Sequence, residues 1–319
     1  EVCRLECVVV DDGSTDATVA EVERAEALLS AAGIALVLGR HAENRGAGAA
    51  RNSAITRARG QWLVSLDADD ECDPRRIRTV VEAVSDKRTL YGSRFRRFPD
   101  ELADQRYSTW ANHLPEERLL VERFRECTVL QPTWVFHREL WLRAGKYVEN
   151  DTCDDLHFFH RHLLSGPDAM LRRLPQMLVR YRASPGSLSR ATPRRTLLRC
   201  RAAYFARSVS WRRFSVWGAG RDAKAFVSAL DDLGEGDRLV ALHDFDKRKV
   251  GRPYVNKLTG RRLDVRSLDA IAPPFVVCVA LDRYPDLAPA VHARLRAWAA
   301  ASGPEAPLPQ EGRDFWFFC

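Results

Sequence analysis

Largely apolar runs of strand length alternate with helical segments along the first part of the chain. Residues 5–10 are typical of a buried strand, and Ser14, Thr15 and Asp16 can cap the helix that follows, which Gly33 ends. Further strands are predicted, with helices between them, at residues 34–38, 62–66 and 90–95. This alternation predicts an α/β fold with a mostly parallel sheet.

The pattern then completes this first domain and starts a second one. Within the first domain it predicts helix, strand, helix, strand and helix at residues 101–130, 131–136, 154–164, 178–181 and 196–208, respectively. A new strand at residues 214–217 leads into the turn Gly218-Ala219-Gly220, and later strands are predicted at residues 239–242 and 275–280. We therefore expect one domain at residues 1–208 and a smaller, Rossmann-like α/β domain at residues 212–319.

Two acidic clusters stand where predicted strands end. Asp11 and Asp12 follow the first strand, and Asp67 and Asp69 follow the strand at residues 62–66. Parallel strands of an open α/β sheet would bring both clusters to the edge where such sheets bind ligands. One cluster could hold a nucleotide, and the other a divalent cation with the phosphates it neutralises. The alternatives are that Asp11 and Asp12 cap the next helix and that Asp67 and Asp69 belong to a polar turn.

Charge and cysteine content narrow the class of protein. The 319 residues carry a formal net charge of +7 at pH 7, and the pI is about 9.1. The positive charge is nearly all Arg, dispersed along the chain. This dispersal favours an Arg-rich composition over a nucleic-acid-binding surface. No apolar stretch is long enough to predict a membrane span. The eight cysteines include no Cys-x-x-Cys pair, so we expect free thiols and a cytoplasmic location.

The motifs around both acidic clusters resemble those of a known enzyme family. VVVDDGSTDAT at residues 8–18 and GAGAARNSAITRARGQWLVSLDADD at residues 46–70 are similar to motifs of the inverting family 2 glycosyltransferases of the GT-A fold. The resemblance implies that Asp11 and Asp12 contact the nucleoside of a UDP-sugar donor. It implies that Asp67 contacts the ribose and the diphosphate, and that Asp69 binds Mn²⁺ or Mg²⁺.

The same resemblance implies further site residues. The family places its catalytic base in an acidic pair at the start of a later helix, which corresponds to Asp154 and Asp155, with Asp155 as the base and Asp154 in place of the usual Glu. A base there would remove the proton of an acceptor hydroxyl on a glycan or another molecule, and direct attack would invert the anomeric centre. Arg51 and Arg182 correspond to positions near the donor. The motifs RYSTWANHL at residues 106–114 and QPTW at residues 131–134 narrow the resemblance to transferases that use UDP-GlcNAc.

Two features leave alternatives open. The chain has no initiator Met and lacks the strand, turn and helix that precede the Asp-Asp strand in the family, so we expect the natural N-terminus to lie upstream. This departure and the shorter Asp154 keep a non-catalytic nucleotide-sugar-binding protein as an alternative. The loop at Gly218 resembles part of a dinucleotide-binding motif, but a structural or regulatory module is favoured there over an oxidoreductase. Trp134 is predicted to be a core aromatic or, alternatively, a sugar-stacking platform.

Overall fold

The computed structural model describes residues 4–279, 286–303 and 306–318. The chain divides into two units. The first runs to Glu116 and resumes over Val129–Thr192, and the second comprises Glu117–Thr128 and the chain from Pro193 onward.

The first unit contains most of the strands and helices that the sequence pattern predicts for it, with shifted ends, but not one helix over residues 101–130. Its described elements are β1 (Glu6–Asp11), α1 (Thr18–Ala31), β2 (Ala35–Arg40), α2 (Ala47–Arg57), β3 (Trp62–Val64), β4 (Glu71–Cys72), α3 (Arg76–Ala83), β5 (Thr89–Phe98), α4 (Arg106–His113), β6 (Val135–His137), α5 (Arg138–Ala144), α6 (Asp154–Leu164), β7 (Met170–Arg182) and α7 (Leu188–Ala191). The strand predicted at residues 178–181 is the end of the much longer β7.

The sheets of the first unit are mixed, so the prediction of a mostly parallel sheet is wrong for it. β1 and β2 form a parallel pair, whereas the five-stranded sheet has the order β3-β6-β5-β7-β4 with β5–β7 as its parallel pairing. A parallel connection needs a long crossover, usually a helix. Residues 101–130 form only α4 and short 3₁₀ turns rather than one such helix, and β6 pairs antiparallel to β3 and β5.

Aromatic packing fixes helix α6 against this sheet. Trp134 is fully buried, and its Nε1 donates a hydrogen bond of 2.8 Å to the carbonyl oxygen of Val129. Its ring packs against Phe158 of α6, which also stacks on Tyr147 with the ring centroids 4.5 Å apart. Trp134 is therefore a core residue and not a sugar platform, and the contact anchors the helix that carries the acidic pair.

The second unit is built on a parallel sheet. Its described elements are α8 (Arg194–Ser208), β8 (Phe214–Trp217), α9 (Arg221–Asp232), β9 (Leu239–Asp244), β10 (Tyr254–Val255), β11 (Arg262–Leu263), β12 (Val265–Ser267), β13 (Phe275–Val277), α10 (Leu287–Ser302) and β14 (Phe315–Phe317). The sheet has the order β12-β9-β8-β13-β14, with all four pairings parallel. The strand predicted at residues 275–280 ends at Val277, and residue 280 lies outside the described residues.

The boundary between the units lies before α8 rather than after it. Phe205 of α8 is fully buried, and its ring contacts those of Phe214, Phe226 and Phe318, all of the second unit. This aromatic cluster joins α8 to the second unit, although the sequence analysis placed residues 196–208 in the first domain. Among the described helices, none is long and apolar enough to cross a membrane.

Candidate functional site

Helix α2 contacts acidic side chains from several parts of the first unit. The Asp12 carboxylate binds the amino-terminal end of this helix. The Asp12 carboxylate accepts backbone hydrogen bonds from Arg45 at 3.0 Å and from Gly46, the residue before the helix, at 2.8 Å. His41 Nδ1 lies 2.6 Å from the same carboxylate. Burial opposes ionisation of Asp12, but these contacts prevail and lower its pKa. Asp12 therefore supplies a negative charge at the positive end of α2.

Arg138 holds the other end of α2. Its Nη1 donates a hydrogen bond of 2.8 Å to the carbonyl oxygen of Ile55, and its Nη2 donates to that of Ala58. These carbonyls belong to the last turn, where the helix offers acceptors without a partner of its own. Since an anion binds one end and a cation the other, α2 is held as a rigid connecting element.

Arg51, in the middle of α2, bridges the acidic segment after β3 and the acidic pair at the start of α6. Its Nη1 lies 2.6 Å from Asp154 Oδ2, and its Nη2 lies 2.8 Å from Asp67 Oδ1. Nη2 also donates a hydrogen bond of 3.2 Å to Oε1 of the buried Gln131. Burial opposes the charge of Arg51, but the nearby carboxylates outweigh it and raise its pKa. The structure thus brings together Asp67 and Asp154, which are far apart in sequence.

Asn52, the next residue of α2, fixes the loop that leads to α6. Its buried side chain donates a 2.9 Å hydrogen bond to the carbonyl oxygen of Tyr147 and accepts one of 2.9 Å from the Tyr147 amide. It also donates to Glu149 Oε1 at 3.2 Å. These bonds satisfy the backbone amide and carbonyl of the buried Tyr147, which would otherwise lack hydrogen-bond partners. Asn52 therefore fixes the approach to the acidic pair.

We expect Asn52→Ala to lower the free energy of unfolding by about 1–3 kcal/mol, because the buried amide and carbonyl of Tyr147 then lose their partners. Chemical denaturation of both variants checks this. Thr56→Ala on the same helix is the matched control, because Thr56 is exposed and its hydroxyl only bonds back to the Asn52 carbonyl. Equal stability of the two variants would contradict the assigned role.

Gly48 permits the close contact between α2 and the same loop. A Cβ atom at Gly48 would lie 2.2 Å from the carbonyl oxygen of Val148 and 3.2 Å from Cβ of Asp154. Both distances are shorter than ordinary van der Waals contact, and the first involves backbone that has little freedom to move. Any larger side chain at this position would therefore push the loop and α6 away from Arg51.

We expect Gly48→Ala to destabilise the protein by roughly 1–3 kcal/mol, as overpacking does, and to weaken the contact between Arg51 and Asp154. Thermal unfolding measures the first effect. Gly186→Ala serves as the control because nothing lies within 4 Å of a Cβ there. A Gly48→Ala protein as stable as the control would refute the close approach.

The acidic pair occupies the first turn of α6, with one carboxylate buried and one partly exposed. Asp154 is buried and bound to Arg51, whereas Asp155 is partly exposed and accepts a 2.6 Å hydrogen bond from the Leu156 amide. Burial, followed by the charge of Asp154, raises the pKa of Asp155 to about 6. Burial also raises the pKa of Asp154, against the effect of Arg51. Asp155 is therefore a carboxylate whose proton affinity suits a base near neutral pH.

The segment after β3 presents Asp67 and Asp69 beside the end of β7. The carbonyl oxygen of Ser65 accepts a 2.6 Å hydrogen bond from the buried Arg76, which fixes the chain just before Asp67. At the other end, the Arg182 amide donates a 2.7 Å bond to Asp70 Oδ1, and Arg182 Nε donates one of 2.6 Å to the carbonyl oxygen of Asp69. Arg182 therefore lies directly beside the acidic segment.

The acidic segment fits a cation that takes most of its ligands from substrate and water. Asp69 is exposed, and its carboxylate makes no hydrogen bond or ion pair in the part of the chain that the structure describes. Asp70 Oδ2 is buried, also without a hydrogen-bond partner there. No group of three or more His, Cys, Asp or Glu side chains within the described ranges is arranged to hold a metal alone. Mg²⁺ commonly binds through one or two carboxylates and substrate phosphates, which suits this donor set.

The predicted site residues fall into three connected positions. Asp67, Arg51 and Asp154 are in direct contact, with Asp155 beside Asp154. Arg182 contacts the segment that contains Asp69. The last position is the amino-terminal end of α2, with Asp12 and the buried Asp11.

Asp11 and Asp12 do not cap α1, so that alternative is wrong. The Asp11 carboxylate accepts a 3.1 Å hydrogen bond from the Ser14 amide and pairs with Arg40 at 3.2 Å. The residue before α1 is Ala17, which provides no side-chain cap. Asn52, Gln131 and Arg76 were not predicted from the sequence, although Asn52 lies within the motif at residues 46–70. Burial of a polar side chain, which shows only in three dimensions, is what identifies them.

The glycine turn of the second unit is engaged by its own chain. Asp244, buried at the end of β9, accepts a 2.9 Å hydrogen bond from the Ala219 amide and pairs with Lys249 at 2.9 Å. An amide that a bound phosphate would use in a dinucleotide site is therefore already paired.

Comparison with known proteins finds a family model that matches the first part of the chain. Residues 2–143, fewer than half of the 319 residues, match the model of the family described as Glycosyl transferase family 2. This stretch includes β1 to α5, and with them Asp11, Asp12, Arg51, Asp67 and Asp69. Asp154, Asp155 and Arg182 lie beyond it.

Individual relatives match the chain over short stretches. The succinoglycan biosynthesis protein ExoO of Rhizobium meliloti (strain 1021) is 46% identical over 79 residues, which are 24% of this chain and 21% of ExoO. The dodecaprenyl-phosphate galacturonate synthase of Rhizobium johnstonii is 34% identical over 114 residues, 35% of this chain and 32% of that protein. The matches thus span a third or less of these relatives. The crystal structure of S. aureus TarS 1-349 aligns with a TM-score of 0.44 and 15% identity over 72% of this chain and 71% of TarS.

Proposed function

We propose that the chain is a family 2 glycosyltransferase with a GT-A catalytic domain, which transfers a sugar from a UDP-sugar to an acceptor hydroxyl. The observation that carries the proposal is the bridge of Arg51 between Asp67 and Asp154. It joins the acidic segment expected to bind the donor to the acidic pair expected to activate the acceptor. A transferase needs both within reach of one sugar carbon, and a polar turn on the surface would need neither.

The residues divide the reaction between them. Asp155, with its raised pKa, accepts the proton of the acceptor hydroxyl as the oxygen attacks the anomeric carbon from the face opposite the leaving UDP. The configuration at that carbon is inverted. Asp154 does not act as a second base in this scheme, because it is buried against Arg51 and positions the start of α6.

Four other side chains bind the donor in this proposal. Asp11 and Asp12 contact the nucleoside, and Asp67 the ribose. Arg182 lies beside the acidic segment, where its guanidinium is placed to meet a diphosphate. A divalent cation, Mn²⁺ or Mg²⁺, would be held by Asp69 and would neutralise charge on the departing diphosphate.

The donor sugar is proposed from sequence resemblance. RYSTWANHL at residues 106–114, QPTW at residues 131–134 and the ending EGRDF at residues 311–315 resemble the protein called UDP-GlcNAc:βGal β-1,3-N-acetylglucosaminyltransferase-like protein 1. We therefore propose UDP-GlcNAc as the donor. For the second unit we propose a Rossmann-like accessory module without a bound dinucleotide, supported by the paired amide of Ala219.

The test is binding and turnover of a panel of UDP-sugars by the whole protein in the presence of Mn²⁺. We expect saturable binding of UDP-GlcNAc by calorimetry and slow release of UDP without an acceptor, since water replaces the hydroxyl. Binding without any release of UDP, with a panel of sugar acceptors added, would support the non-catalytic binding protein instead. A folded protein that binds no UDP-sugar would overturn the proposal.

A further inference from the structure

Arg51 faces more negative charge than it can compensate. Its guanidinium contacts Asp67 and Asp154, and Asp155 stands beside Asp154, so one cation serves three carboxylates. The side chain of Arg51 is only 20% exposed and that of Asp154 only 3%, so water screens these charges weakly. The protonation of Asp155 must therefore depend on how Arg51 divides its contacts between the other two.

The two contacts of Arg51 differ in how a donor would change them. Asp67 is 31% exposed and belongs to the segment proposed to bind the donor, whereas Asp154 is buried on the acceptor side. The diphosphate and the cation bring charges that largely cancel. The main local change on binding is then that ribose hydroxyls donate hydrogen bonds to the Asp67 carboxylate and weaken its ion pair with Arg51.

We propose that Arg51 is a positioning residue that couples the two halves of the site: donor binding at Asp67 strengthens its contact with Asp154 and thereby favours ionised Asp155. This inference rests on the proposed function. The coupling favours the ionised form of the base when a donor is present, which predicts that the donor binds first and the acceptor second.

The charges that face Asp155 come from three elements. They are Asp154 on its own helix α6, Arg51 from α2 and Asp67 from the segment after β3. The two carboxylates favour protonated Asp155, and Arg51 alone among these opposes it. Removal of the Arg51 charge should therefore raise the pKa of Asp155, and a stronger contact between Arg51 and Asp154 should lower it.

Proton release on donor binding tests the coupling without any catalysis. UDP-GlcNAc is titrated into the protein with Mn²⁺ near pH 6 in buffers of different ionisation enthalpy, which reports the protons released. We expect release in the wild type, less release in Asp155→Asn, and less in Arg51→Gln. By linkage, a downward shift of the Asp155 pKa by one unit from about 6 would make donor binding to the wild type about fivefold tighter at pH 7 than at pH 5, and the difference would approach tenfold only at still lower pH. Asp70, whose pKa burial raises to about 7, is present in both proteins, so the difference in proton release between the wild type and Asp155→Asn excludes its contribution.

Kinetic pH profiles supply the second readout. For the wild type, both kcat and kcat/KM for the donor should rise with pH. The midpoint should lie at lower pH for kcat, which reports the donor complex, than for kcat/KM, which reports the free enzyme. In Arg51→Gln the kcat midpoint should move to higher pH and the separation should vanish. Arg51→Lys keeps the charge and should restore part of the separation even if Arg51→Gln folds poorly.

Arg57→Gln is the matched control, because Arg57 lies on the same helix, is exposed, and donates only to the Ser53 carbonyl. It should reproduce the wild-type proton release and pH profiles. Donor binding and turnover in the wild type, with proton release equal in wild type and Asp155→Asn, would overturn the coupling and leave the proposed function intact. No binding of any UDP-sugar would instead overturn both.

Discussion

Asp155→Asn is expected to lower the rate of sugar transfer by about 10²–10⁴-fold, the usual contribution of a positioned general base. Asn has nearly the same shape, so it can still accept the hydrogen bond from the Leu156 amide, and α6 should keep its first turn. It cannot take a proton from the acceptor hydroxyl. Steady-state kinetics with UDP-GlcNAc and calorimetry of donor binding measure the two effects separately.

The donor dissociation constant at pH 7 should rise by no more than about tenfold, because Asp155 does not contact the donor in the proposed site and a neutral Asn only reproduces the weaker donor binding expected of protonated Asp155. Asp100→Asn is the control: Asp100 is exposed and pairs only with Arg96, a surface pair worth at most about 1 kcal/mol. An Asp155→Asn enzyme with unchanged turnover would show that another group removes the proton.

Asp69→Asn is expected to abolish the cation dependence of donor binding and to reduce transfer at least about a hundredfold, because a bound cation contributes several kcal/mol to stabilising such a transition state. Asp69 is exposed and its side chain makes no described hydrogen bond, so its replacement should leave the free energy of unfolding nearly unchanged. Calorimetry with and without Mn²⁺, together with chelation by EDTA in the wild type, measures the dependence.

Chelation and Asp69→Asn should have the same effect, and the two together should do no more than either alone. If Asp69→Asn binds UDP-GlcNAc with the same Mn²⁺ dependence as the wild type, the cation is held elsewhere and the assignment of Asp69 is wrong. Asp100→Asn again controls for loss of an exposed carboxylate in the same unit.

Local sequence signals were sufficient to locate most elements of the first unit. Gly33 and Gly145 end helices with positive φ angles of 72° and 81°, and α6 begins at Asp154 as the pattern predicts. These local signals did not indicate whether neighbouring strands run parallel or antiparallel. The alternation of apolar runs is the same for a parallel and an antiparallel strand, so only the course of residues 101–134 decided how β6 pairs.

The unit boundary shows a similar limit. The amphipathic pattern of residues 196–208 identifies a helix but does not tell which core its apolar face joins. Phe205 could have packed on either unit, and its aromatic contacts with Phe214 and Phe226 place it in the second. Likewise, the inserted stretch Glu117–Thr128 belongs to the second unit although the chain on both sides of it belongs to the first.

The sequence by itself determined which residues we propose for the chemistry, because Asp-Asp, Asp-x-Asp and the acidic pair of α6 are local patterns at the ends of strands or the start of a helix. Their mutual arrangement depended on tertiary structure. Contacts such as that of Arg51 with Asp154 join residues more than a hundred positions apart, and they form only because Gly48 and Asn52 let α2 and the loop before α6 pack closely. Burial then set the proton affinity of Asp155, since desolvation depends on the surrounding fold and not on neighbouring residues in the chain.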